Sequence, residues 1–226
     1  MSTTFRPFGL KPVYHPSGLD RSVPFVGTNS FVVGTPDYSA PYLLTTGQSF
    51  FQYQPVGLNA SGQLTIAATS AATSPMYGVF DGVEYTTAEG RRTLGKSISK
   101  ASLDAATGII FWIFQDPALV YEAQVQGSAT TAYLGRQYNF SAATGYTTAD
   151  GYTIGTGGAG FSTTALAAAP VATTVQGQVR VVGLGREVAY PSGETNAWGD
   201  TYTIVQVQIA NNSFVAPKTS VELTKG

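Results

Sequence analysis

An all-β fold, an antiparallel β-sandwich or barrel with an extended proline-rich N-terminal arm, is predicted by three observations. Serine and threonine make up roughly a fifth of the 226 residues, beside 26 glycines and 12 prolines, a mix that favours short strands and turns. Apolar and polar residues alternate with period two in several segments after residue 46. Helical signals are thin: SATTAYLGRQY at 128–138 has room for a turn or two, and ALAAA at 165–169 is stopped by Pro170. Roughly 8–12 strands are expected.

Residues 1–45 read as the arm. Six of the 12 prolines lie there (Pro7, Pro12, Pro16, Pro24, Pro36, Pro41), and proline offers no ladder N–H, which disfavours a central strand or a helix. Phe5, Phe8, Tyr14, Phe25, Phe31, Tyr38 and Tyr42 lie in the same stretch. Such rings are costly to leave in water, so the arm lies against its own domain or against a neighbour.

Residues 46–226 read as a single β domain. Phe51 and Tyr53 alternate with Gln52 and Gln54, and NASG at 59–62 turns the chain into QLTIA. YGVFDGVEY at 77–85 is a strand whose glycines point to a bulge or a close backbone approach. IIFWIFQ at 109–115 is apolar on both faces, which predicts a central strand covered on both sides. After Asp116-Pro117, Leu119, Tyr121, Ala123 and Val125 share one face while Glu122, Gln124 and Gln126 share the other. These two strands read as a hairpin. A Gly/Thr-rich stretch around 141–175 repeats GYT and reads as an insertion loop or hairpin. QVRVVGLGR at 178–186 and TYTIVQVQIA at 201–210 complete the strands, the last with Val205, Val207 and Ile209 inward and Gln206 and Gln208 outward.

Charged residues are 11% of the chain, where soluble domains average about 25%, and the net charge is −1. That composition argues against disorder and against a basic field for nucleic acid. Strand faces carrying Gln, Thr and Ser in place of charge are cheaper to bury against a partner. With no cysteine, disulfides and thiolate metal sites are excluded, and the lone His15 has no second imidazole beside it. The longest apolar run, IIFWIF at 109–114, is short of the roughly 20 residues that span a bilayer, and no secretory signal is visible. Synthesis in a cytoplasm, without membrane insertion, is expected.

Candidate chemistry is sparse. GTGGAG at 155–160 matches G-x-G-x-x-G at Gly155, Gly157 and Gly160, but Arg180 stands where the acidic residue belongs and no βαβ pattern surrounds it. His15 lies between Tyr14 and Pro16 with no G-x-S-x-G elbow elsewhere, a poor setting for a triad. Asp81 with Glu84, or Asp116 with Glu122, would be the carboxylate pairs of a glycosidase; isolated surface acids with basic partners explain them as well. Glu89, Arg91, Arg92, Lys96 and Lys100 form the densest charged segment, either a solvated loop or a dock for an acidic surface.

Four segments, in order, carry a resemblance: RPFGLKPVYHPSG (6–18), YGVFDGVEYTTAEG (77–90), QDPALVYEAQVQG (115–127), and QVRVVGLGREV with TYTIVQVQIANNSFV at the end. Together they resemble a family of tailed-bacteriophage structural proteins, similar to head decoration or cement proteins; the stretch 141–175 departs from that pattern. The resemblance implies a non-enzymatic virion protein without cofactor or metal. It would be made in the bacterial host cytoplasm and bound to the capsid exterior, where it bridges major capsid protein subunits as a homotrimer. The expected contacts are Phe5, Phe8, Leu10 and Tyr14 of the arm, with Arg91, Arg92 and Lys96, and removal of residues 2–20 is expected to leave the β domain folded. The alternatives are a tail or other minor virion protein, or a non-catalytic carbohydrate-binding module using an exposed Trp198.

Overall fold

Short strands dominate because β-branched and aromatic residues are broken every few positions by Gly, Pro or Asn. A computed structural model describes residues 5, 7–18, 21–26, 40–68, 75–141, 146–147, 153–154, 162–186 and 195–214. In chain order the first strands are β1 (Lys11–Tyr14), β2 (Val23–Phe25), β3 (Ser49–Phe51), β4 (Gln54–Leu58), β5 (Leu64–Ile66), β6 (Met76–Thr86), β7 (Arg92–Gly95) and β8 (Ser97–Ser99). Helix α1 (Lys100–Asp104) leads into β9 (Thr107–Phe114) and β10 (Val120–Gln124). Then come β11 (Gln137–Tyr138), β12 (Phe140–Ser141), β13 (Tyr146–Thr147), β14 (Thr153–Ile154), β15 (Ala165–Leu166), β16 (Val179–Leu184) and β17 (Ile204–Ile209).

The chain is an all-β antiparallel sandwich. One sheet has five strands in the order β1-β10-β17-β16-β11; the other has six, β2-β9-β6-β4-β5 with β7 also on β6. No closed barrel forms among the described residues. Between the sheets lies a core of Leu10, Val79, Phe114, Tyr121, Val181, Val205 and Val207 among others. A second core covers the opposite face of the six-stranded sheet, where Phe50, Phe80, Phe111 and Tyr42 pack with ring centroids 5.5–6.3 Å apart. Each such buried side chain contributes about 1.5–3 kcal/mol relative to exposure.

β6 serves both cores because its register is broken. The bulge between Phe80 and Gly82 changes the side-chain parity, so Phe80 and Val83 both face the second core. Its glycines permit close approach as expected: a Cβ on Gly78 would collide with the Phe114 carbonyl oxygen. Val205, Val207 and Ile209 are buried as their alternation predicts. The stretch 128–138 holds a 3-10 turn at Thr131–Tyr133, while Ala165–Leu166 pairs as a strand with Phe140–Ser141. The short helix α1 lies outside the two helical candidates of the sequence; its signal is Ser99, whose hydroxyl accepts the Ser102 N–H at 3.1 Å as an N-cap. Around 141–175, β13 and β14 pair as a hairpin, and GTGGAG at 155–160 lies outside the described residues.

Three expectations are corrected. β9 and β10 do not form a hairpin. Both edges of β9 are taken by β2 and β6, and both edges of β10 by β1 and β17, so the Asp116-Pro117 turn carries the chain across the core from one sheet to the other. The second correction concerns β10's polar face, which is covered: Glu122 is 3% exposed and Gln124 is also buried. Thirdly, the stretch 2–20 contributes to the fold rather than lying apart from it, since Leu10 is 1% exposed in the inter-sheet core and β1 is an edge strand of the five-stranded sheet. β2 likewise edges the other sheet, and Pro12 and Pro24 both stand on these edges, where a missing N–H costs no ladder bond on the outer side.

Candidate contact surface

Among the described residues, the five-stranded sheet covers only part of its partner. Along the shared face of β6 and β9, the register pairs Val79 with Phe114, then Gly82 with Trp112, then Glu84 with Ile110. The first pair lies in the inter-sheet core, whereas Trp112, Glu84 and Ile110 are partly exposed. β7 sets Leu94 opposite Glu84, and β2 sets Pro24 opposite Trp112. These elements enclose an open cleft of about 560 Å³, lined by Trp112, Leu94, Asp81, Glu84, Arg92 and Lys96. Leu94 is 72% exposed.

The polar groups of the cleft are fixed. Asp81 accepts from the Ser22 hydroxyl at 3.0 Å and from the Gln52 amide at 3.1 Å, with Lys96 Nζ at 3.7 Å. Glu84 accepts from Arg92 Nε at 2.8 Å, and Arg92 Nη1 donates to the Gly108 carbonyl at 2.8 Å. The charged segment is part turn and part strand, Glu89 and Arg91 in the turn between β6 and β7 and Arg92 on β7, and its cations Arg92, Lys96 and Lys100 are matched by carboxylates. Arg92 of β7 and Lys96 of the bend after it meet carboxylates of the neighbouring strand β6, while Lys100 meets Asp104 at 2.6 Å. Arg91 stands exposed at the turn between β6 and β7.

A second surface runs along the outer edge of β1. Tyr14 is 58% exposed and Val13 is exposed beside it. Of the other arm residues expected at a contact, Phe5 packs on Tyr202 with ring centroids 5.2 Å apart, Phe8 is partly buried, and Leu10 belongs to the core. The described parts of the arm thus lie on their own domain, and among the described residues no strand pairs with β1's outer edge.

His15 and Glu122 serve the frame. His15 is buried; its Nδ1 accepts the Ser17 N–H at 3.0 Å, which places the ring proton on Nε2, 2.9 Å from Asp116 Oδ2. Glu122 accepts the Arg186 backbone N–H at 2.7 Å. Among the described residues no group of three or more His, Asp or Glu side chains gathers in a way that would hold a metal ion, and no helix is long and apolar enough to cross a membrane.

Trp198, expected as an exposed platform, is partly exposed and packs one side against the inter-sheet core. Trp112 is the tryptophan that lines the cleft, and the sequence hid it inside an apolar run that reads as covered on both faces. A period-two split of IIFWIF into Phe111/Ile113 and Ile110/Trp112 is the signal that separates the two faces. Family models, curated proteins and solved structures show no match to this chain.

Proposed function

We propose that the chain is a structural virion protein that decorates the outside of a tailed-phage head and stabilises it by bridging major capsid protein subunits as a homotrimer. The observation that carries this reading is the outer edge of β1, which pairs with no other strand among the described residues and presents Val13 and Tyr14. An exposed edge with apolar side chains is a template for strand addition or for packing against a flat partner surface. The ordered resemblance of four segments to phage structural proteins supports the same reading, and so do the sparse charges, since Gln and Thr faces lose less on desolvation. The contact set changes in composition: Tyr14 with Val13 leads, Phe5 and Phe8 are accessory, Leu10 acts through the fold, and Arg91 joins them from the cluster whose Arg92 and Lys96 meet carboxylates of β6.

The test is rebinding. Particles lacking this protein are mixed with purified chain, and its copy number is measured against the shell protein. The reading expects a ratio near one per shell subunit, lost in the double variant Val13→Asp/Tyr14→Asp while its thermal unfolding stays unchanged. A handful of copies per particle would assign the protein to the tail, and undiminished occupancy of the double variant would remove β1 from the interface.

A further inference from the structure

We infer that the cleft over Trp112 is a binding site for a neutral saccharide, a function separate from attachment through β1. The cleft has an aromatic element: Trp112 lines it and is partly exposed, and its cross-strand neighbours are Pro24 and Gly82, the latter with no side chain to set against the ring. The cleft volume of about 560 Å³ falls within the range of small-ligand sites, roughly 300–1,000 Å³. An aromatic element with hydrogen-bonding walls fits the C–H face of a sugar ring against the indole and its hydroxyls against the rim.

The rim selects among ligands. Two carboxylates, Asp81 and Glu84, stand with two cations, Arg92 and Lys96, so the cleft carries no net charge. A phosphate or sulfate would meet both carboxylates, and an ammonium ligand would meet both cations. Carboxylates only accept hydrogen bonds, and guanidinium and ammonium groups only donate them. A hydroxyl does both, so a polyol bridges such neighbours without leaving a charge unpaired. The rim is also ordered in advance, because Ser22 and Gln52 hold Asp81 while Gly108 holds Arg92. Preordered side chains lose less freedom on binding.

The experiment titrates the full-length chain with neutral oligosaccharides (hexamers of glucose, of mannose and of N-acetylglucosamine) by calorimetry, with dextran sulfate as the anionic comparison. The expected result is saturable binding of at least one neutral hexamer below about 1 mM, little changed by salt. Trp112→Ala weakens it at least about tenfold and Lys96→Ala, an exposed substitution that leaves the fold intact, by about threefold. Absence of saturable binding to every neutral hexamer overturns the inference. So does binding of dextran sulfate alone, or undiminished binding by Trp112→Ala that melts like the parent. Should Trp112→Ala fail to fold, Lys96→Ala together with Asp81→Asn decides, and full retention by both overturns the site. Saccharide binding is expected to survive Val13→Asp/Tyr14→Asp, and particle occupancy to survive Lys96→Ala, so the two functions fail separately.

Discussion

His15 places its Nε2 2.9 Å from Asp116 Oδ2, tying the end of β1 to the turn that carries the chain between the two sheets. The imidazole is buried and its other nitrogen is satisfied by the Ser17 N–H, so the ring is held on both sides. Removing it as His15→Ala should cost about 1–3 kcal/mol, the loss expected when a buried hydrogen-bonded group is deleted. Asp116→Ala should cost a similar amount or more, because Asp116 Oδ1 also accepts the Ala118 N–H at 2.8 Å. Chemical denaturation of the two single variants and the double variant checks this; strictly additive losses would show that the two residues do not act together.

Gly9 and Gly90 offer a matched pair, since both have φ of +79°. Left-handed backbone costs a side-chain-bearing residue about 1–2 kcal/mol, and Gly90→Ala should lose that amount, because a Cβ there meets only open space. Gly9→Ala should lose a further 1–3 kcal/mol or so, because its Cβ would collide with the Tyr53 carbonyl oxygen, the acceptor of the Leu10 N–H at 2.8 Å. Equal melting points for the two variants would refute the close seating of the arm on Tyr53.

Glu122 separates charge from hydrogen bonding. Its carboxylate is buried on the five-stranded sheet and accepts the Arg186 N–H at 2.7 Å. Glu122→Gln keeps an acceptor at that place and should be tolerated, whereas Glu122→Ala strands the amide and should cost about 1–3 kcal/mol. Amide hydrogen exchange at Arg186 reports it directly: faster in the alanine variant, unchanged in the glutamine one.

Asp104 and Tyr42 set an acid limit. The Lys100 hydrogen bond, followed by that of the Tyr42 hydroxyl at 2.9 Å, holds the Asp104 carboxyl below its ordinary value of 3.8. A lowered folded-state value contributes stability that is present above the unfolded value and lost as pH falls through the folded one. Tyr42 is raised above 10.0, first by burial and then by its bond to Asp104, so its contribution is present below pH 10 and declines as pH rises further. Between pH 2 and about 4, the melting point of the parent should fall more steeply than that of Asp104→Asn. Parallel curves would show that Asp104 contributes nothing to acid sensitivity.

Local composition was enough to specify that the chain forms short antiparallel strands, and where most of them lie. Alternation at Val205, Val207 and Ile209 depends only on neighbours two positions away, and the glycines of β6 carry the mark of its bulge in the residues themselves. Pairing is different in kind. Whether Phe114 and Leu119 belong to one hairpin or to facing sheets depends on which distant strands take the edges of β9 and β10, and no periodicity within either segment encodes that. Exposure is also nonlocal: Trp112 and Trp198 are both partly buried, but strand pairing sets Trp112 on a cleft with β6 and β7, whereas Trp198 packs against the inter-sheet core. Arg92 and Lys96 look like a basic patch in one dimension and become half of a neutral cleft once β6 brings Asp81 and Glu84 across. Side-chain identity settled which residues prefer to share a face, while long-range packing settled which faces stay open to a partner.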